Sequence, residues 1–134
     1  MYLVTKRIDF CYGHRLLDYD GICKHPHGHN AVVEVDVRTD RLDKRNMVVD
    51  FSDIKRVVKG WIDRELDHKM ILRHDDPLVK PLEALGEPIY KVDSNPTVER
   101  IARLIFDYAV EQKLPVVRVK VWETPTSFAE FGPE

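Results

Sequence analysis

The chain has 134 residues, 43% hydrophobic and 33% charged, with a net charge of −2. That balance gives no reason to expect nucleic acid or an anionic membrane as a partner, and no apolar run approaches the roughly 20 residues of a membrane span. Length and composition fit one globular domain over residues 1–134, long enough to bury a core without staples. The N-terminal stretch "MYLVTKRIDF" lacks a basic n-region and a long apolar h-region, so it reads as a strand and not as a signal peptide. Cys11 and Cys23 are too few for a disulfide framework. The expected setting is the cytoplasm, with both thiols reduced and free for metal or catalytic work.

Residues 2–10 alternate, with Tyr2, Val4, Ile8 and Phe10 on one parity, and residues 31–38 alternate with Val33, Val35 and Val37 against Glu34, Asp36 and Arg38. Both patterns predict half-buried strands. After a charged turn segment, Ser52 is the expected N-cap of a helix whose apolar positions are Ile54, Val57, Val58, Trp61, Ile62 and Leu66. Residues 71–93 hold three prolines and Gly86 and read mostly as loop. A second helix follows at "NPTVE", where Asn95 caps, Pro96 suits the first helical position and Glu99 complements the dipole. "VVRVKVWE" is a strand with Val117, Val119 and Val121 inward, and a last short strand is expected near Ser127 to Phe131. Strands at both ends with helices between them predict an α+β fold, a mostly antiparallel sheet with both helices on one face. The chain has no spare element for the other face and the edges, so further subunits are expected to cover them.

Ligand chemistry is concentrated in "CKHPHGHN", residues 23–30. In an extended segment His27 and His29 point the same way, so both imidazoles can reach one ion at about 2.0–2.1 Å. Gly28 is expected to remove bulk between them. If the first two strands pair as neighbours, His14 at the end of the first approaches both. Three neutral imidazoles with an open fourth position describe a catalytic zinc site better than a structural one; the plainer alternative is a set of surface-loop histidines. His25 is one residue out of phase and reads as a neighbour. Cys23 has three readings left open: a fourth ligand, a nucleophile or base beside the metal, or a small packing residue. Cys11 reads as packing. Asp67-His68 can orient a proton-transfer group, although spacing alone favours a polar helix end. Glu123 shares the parity of Val117, Val119 and Val121, so its carboxylate is expected on the covered face, an unusual direction for Glu unless it meets a ligand.

Taken in order, these segments resemble the family of 6-pyruvoyl-tetrahydropterin synthases and 6-carboxytetrahydropterin synthases over nearly the whole chain. His14 in "FCYGHRL" matches that family's first zinc histidine, and "CKHPHGH" matches its Cys-x3-His-Gly-His segment at Cys23, His27 and His29. "MVVDFSDIK" and "NPTVERIA" match the starts of its two helices, "LDH" its Leu-Asp-His motif at Asp67 and His68, and "VWET" its Glu-Thr pair at Glu123. The resemblance implies a T-fold that assembles as trimers stacked into a homohexamer, with the active site between subunits. It implies Zn2+ on His14, His27 and His29, Cys23 as base, Asp67 and His68 as proton carriers, and Glu123 on the pterin. The implied substrate is 7,8-dihydroneopterin triphosphate.

Within that resemblance the Cys-x3-His spacing is nearer the carboxy-forming group. It implies release of acetaldehyde and triphosphate on the way to 7-deazapurines such as queuosine. The pyruvoyl-forming reaction is the alternative, and a zinc-containing pterin-binding protein without turnover is a third reading. Three departures from the family pattern bear on the pocket. Tyr12, beside Cys11, stands where small residues are usual and is expected to narrow the pocket mouth. Ile71 and Leu72 replace a Leu-Asn pair, which suggests a lost loop hydrogen bond. The loop from His74 to Asp93 is long and is expected to reshape the entrance.

Overall fold

A computed structural model describes residues 1–133. Six strands, β1 (Tyr2–His14), β2 (His27–Thr39), β3 (Lys69–Arg73), β4 (Ile89–Val92), β5 (Val116–Thr124) and β6 (Ser127–Phe131), form one sheet in the order β4-β3-β1-β2-β5-β6. Its centre is β1 (Tyr2–His14) paired antiparallel with β2 (His27–Thr39). β5 (Val116–Thr124) lies antiparallel on β2, and β6 (Ser127–Phe131) on β5. The alternation read in the sequence is the reason for this pairing. Ile8 and Phe10 of β1, Val33, Val35 and Val37 of β2, and Val119 and Val121 of β5 are all buried on one face. Burial of each such side chain contributes about 1.5–3 kcal/mol.

The helices cover that face. The first runs from α1 (Phe51–Ile54) through a π-helical stretch, Lys55–Lys59, into α2 (Gly60–Glu65). A third, α3 (Val79–Ala84), is short, and α4 (Val98–Glu111) turns Ile101, Ala102, Ile105, Phe106 and Ala109 into the core. The caps differ from expectation. Asp50, not Ser52, caps α1 by accepting from the Ser52 N–H at 2.8 Å. Thr97, not Asn95, caps α4 by accepting from the Arg100 N–H. Asn95 is committed elsewhere: it accepts from the Leu17 N–H at 2.9 Å and donates to the Leu17 carbonyl at 2.8 Å. Each cap is worth about 1 kcal/mol.

The α+β class holds, and the region expected to be loop adds to the order of elements. β3 (Lys69–Arg73) runs parallel to β1, and β4 (Ile89–Val92) parallel to β3. Ile71 and Leu72 are fully buried strand residues, so no loop hydrogen bond is at stake there. A register shift between Asp36 and Val37 lets Val37 pair with Val116. Val116 is therefore buried, and Val117 only half-buried, against the expected parity. The opposite face of the sheet is polar and open, carrying Arg7, Glu34 and Lys120.

Candidate metal centre and adjoining cleft

The β1–β2 register sets Tyr12 opposite His29 and His14 opposite His27. β2 begins at His27, so both of its histidines lie on regular strand. Side chains two apart share a face, and both rings project beside His14. Ring centroids are 4.5 Å apart for His14–His27, 5.1 Å for His14–His29 and 5.0 Å for His27–His29. One nitrogen from each ring lies within 4.8 Å of the other two. Gly28 points to the other face, where it pairs with Gly13. Its missing side chain thus clears the open face and does not separate the histidines, as the sequence had suggested.

Two carbonyls fix the tautomers. A carbonyl only accepts, so His14 Nδ1–H donates to Pro96 O at 2.7 Å and His27 Nδ1–H to His25 O at 2.7 Å. The Nε2 atom of each ring is left with a lone pair. His14 is buried, and burial pushes its pKa, and that of His29, below the ordinary 6.5. Both favour the neutral, ligating form. His14 Nε2 and His29 Nε2 are 3.2 Å apart. Bonds of 2.0–2.1 Å to a tetrahedral ion put neighbouring nitrogens about 3.3–3.4 Å apart. The donor set therefore fits a metal ion held by three histidines.

Glu123, near the end of β5, aims at the same place, as its parity predicted. Its carboxylate oxygens lie 3.7 Å from His29 Nε2 and 4.0 Å from His14 Nε2. Tyr12 borders the adjoining cleft from its place on β1, but its side chain is turned into the core. It is buried, 3% exposed, stacked on Phe10 at 5.3 Å and set edge-on to His14 at 5.1 Å. Cys23 sits in the short 3-10 turn Ile22–Lys24, in the connection between the two strand ends that carry the histidines. The Leu16 N–H ties that turn by donating to the Cys23 carbonyl at 3.0 Å. Among the described residues its thiol is not gathered with the three histidine nitrogens.

Asp67 and His68 occupy the turn after α2. His68 has φ 61°, left-handed backbone that costs about 1 kcal/mol or more in a non-glycine residue. Its N–H donates to the Cys11 carbonyl at 2.8 Å, and Asp67 Oδ1 accepts from the Cys11 N–H at 2.9 Å. Asp67 Oδ2 accepts from His68 Nδ1–H at 2.8 Å, which leaves Nε2 free. Cys11 is more than packing: its thiol is clustered with the Asp67 carboxylate and the His68 ring. The contact spans 56 residues, so nothing local in the sequence announced it. An open cleft of about 680 Å3 joins the two groups, lined by Cys11, Gly13, His27, His29 and His68. Leu82, Glu87 and Pro88, from the long segment before α4, form part of its wall.

The sequence profile of the 6-pyruvoyl tetrahydropterin synthase family matches residues 3–134. The chain belongs to that family. A Rickettsia conorii relative named 6-carboxy-5,6,7,8-tetrahydropterin synthase is 38% identical over 94% of this chain and 96% of its own length. A crystal structure of an uncharacterised Wolinella succinogenes protein superposes with a TM-score of 0.82 at 28% identity, covering 99% of this chain and 98% of that one. The 6-pyruvoyl tetrahydropterin synthase of Caenorhabditis elegans shares the fold, with a TM-score of 0.71 at 23% identity over 100% and 98% of the two chains. The architecture is accordingly the T-fold of this synthase family.

Proposed function

We propose that the protein is a zinc-dependent lyase converting 7,8-dihydroneopterin triphosphate and water to 6-carboxy-5,6,7,8-tetrahydropterin, acetaldehyde and triphosphate. The observation that carries this reading is the histidine cluster, in which the Nε2 lone pairs of His14 and His27 and the ring of His29 meet at the rim of a ligand-sized cleft. His14, His27 and His29 hold the ion. Bound there, zinc supplies Lewis-acid stabilisation of negative charge on the substrate's side-chain oxygens. The carboxy product is supported by the Rickettsia conorii relative's name and by the Cys-x3-His spacing.

Cys23 is the base in this reading. Its thiolate takes a carbon-bound proton from the substrate side chain, and a nearby cation favours that thiolate. Asp67 holds the His68 ring by Nδ1–H, so the free Nε2 takes up or delivers a proton at a fixed position. Glu123, acceptor-only when ionised, receives the amino and ring N–H groups of the pterin. The open polar face and the free edges at β4 and β6 support a homo-oligomer, a hexamer of two trimers, with the site between subunits. The expected compartment is the cytoplasm and the expected pathway leads to queuosine. Among the described residues no helix is long and apolar enough to cross a membrane.

The test is incubation of the purified zinc-loaded protein with dihydroneopterin triphosphate and mass spectrometry of the products. 6-Carboxytetrahydropterin with acetaldehyde is the expected outcome. A 6-pyruvoyl product would assign the sister reaction, and intact triphosphate with bound pterin would leave a binding protein.

A further inference from the structure

Among the described residues, Tyr12 holds the one buried side-chain polar atom without a hydrogen-bond partner. Native interiors rarely leave such an atom unpaired, and its position is not free to vary. Phe10 stacks on the ring at 5.3 Å, and His14 and His29 flank it at 5.1 and 5.6 Å. Burial first, then the charge of Glu123 and the hydrogen-bonding approach of its carboxylate, push the phenol pKa up, although the hydroxyl stops short of a well-formed hydrogen bond with it. Glu123 in turn takes no side-chain hydrogen bond among the described residues. The orphan donor and the uncommitted carboxylate thus face one another beside the three histidines.

The carboxylate has a competing destination. Its oxygens lie 3.7 and 4.0 Å from the two ligand nitrogens His29 Nε2 and His14 Nε2. Neighbouring ligand atoms of a tetrahedral zinc are about 3.3–3.4 Å apart, and carboxylate oxygen is an ordinary zinc ligand. A modest shift of the carboxylate toward the three histidines would make Glu123 the fourth ligand. A site closed by four protein ligands is of the structural type, and catalysis needs the fourth position open.

We propose that Tyr12 is a positioning residue: with metal on His14, His27 and His29, its hydroxyl donates to Glu123 and holds that carboxylate out of the fourth coordination position. The position stays open for substrate oxygens, and Glu123 stays available to a ligand's N–H groups. The inference rests on the three-histidine metal site proposed above. Its test separates the two.

Cobalt(II) replaces zinc, and visible absorption, its response to azide and metal affinity by chelator competition are measured for wild type, Tyr12→Phe, Glu123→Gln and the double variant. In wild type, azide perturbs the spectrum, and Glu123→Gln leaves the cobalt bands in place because Glu123 is not a ligand. In Tyr12→Phe the carboxylate moves onto the metal, the azide response is lost, and metal affinity rises because a fourth protein ligand joins the site. The double variant regains the azide response, which mere loosening of the core would not restore. A Tyr12→Phe protein with the wild-type spectrum and azide response overturns the proposal. Should Tyr12→Phe fail to fold, altered cobalt bands in Glu123→Gln alone would overturn it equally. Cobalt binding that persists when the three histidines are replaced would instead remove the metal site.

Discussion

His14 and Arg15 are neighbours in the chain and lead to two buried polar sites of opposite character. Arg15 donates through Nε at 2.9 Å, and through Nη2, to Asp76, whose side chain is fully buried. The Leu78 N–H adds a third donor to the same carboxylate at 2.8 Å. Charge and hydrogen bonds are matched, and the pair fastens the chain after β1 to the segment between β3 and α3. At His14 the balance fails. Two Nε2 lone pairs, the Glu123 carboxylate and an unpartnered Tyr12 hydroxyl share one corner. A completed polar cluster holds the fold; a cluster rich in acceptors has the donor set that suits a cation.

The sharpest way to break this contrast is at the histidines. Replacing His14, His27 and His29 together by Ala should take metal content from one ion per chain to none and abolish turnover, with the fold kept. Unchanged zinc by metal analysis would end the idea. Next in size, Cys23→Ala should lose about 10²- to 10⁴-fold in the proton-transfer step while keeping its zinc and its circular dichroism. Iodoacetamide should label Cys23 before Cys11, with bound pterin protecting it. Selective labelling of Cys11, with activity falling in step, would move the chemistry to the thiol beside Asp67 and His68.

The Arg15–Asp76 side of the comparison predicts the reverse pattern. Asp76→Ala leaves a partly buried guanidinium unpaired and should cost about 3 kcal/mol in chemical denaturation, with metal content unchanged. The hydrogen bonds from Arg15 hold the Asp76 pKa below the ordinary 3.8. In acid the unfolded chain therefore takes up this proton first. The contribution of the pair is complete above that value and is lost as pH falls below it. Asp76→Asn should flatten this acid limb of the stability curve, and an unchanged limb would show that other groups set it. The smallest expected effect is at Glu123. Its replacement by Ala should weaken pterin binding by about 1–3 kcal/mol, the cost of unpaired buried donors, and leave zinc in place. Equal pterin affinity by fluorescence titration would remove Glu123 from the ligand's contacts.

Parts of this arrangement were legible in the chain itself. The alternation of Val33, Val35 and Val37, the apolar stripe of α4 and the last strand at Ser127–Phe131 all appear as read. β3 and β4 were not legible. They are short strands, β4 lies between Pro88 and Pro96, and Ile71 and Leu72 of β3 are buried side by side, so no alternation marks them. Asn95 has the chemistry of a cap, yet its side chain is held by Leu17, 78 residues away. Val116 displaces Val117 from the core because β5 itself carries one extra residue, Val117, in its pairing with β2, a bulge that alternation along the chain does not announce.

The sequence by itself determined what depends on near neighbours along the chain. A spacing of two on an extended strand puts His27 and His29 on one face, and parity with Val119 and Val121 turns Glu123 the same way, because backbone geometry repeats locally. Only the tertiary structure decided which groups meet and which stay unpaired. The β1–β2 register brings His14 to His27 across the hairpin, Pro96 fixes the tautomer of His14 across 82 residues, and Asp67 reaches Cys11 across 56. Tyr12 is the clearest case. Its ring, expected at the pocket mouth, lies in the core, and its hydroxyl ends without a partner beside Glu123 because of the packing of Phe10, His14 and His29 together. Satisfaction of a buried polar atom depends on every neighbour in three dimensions.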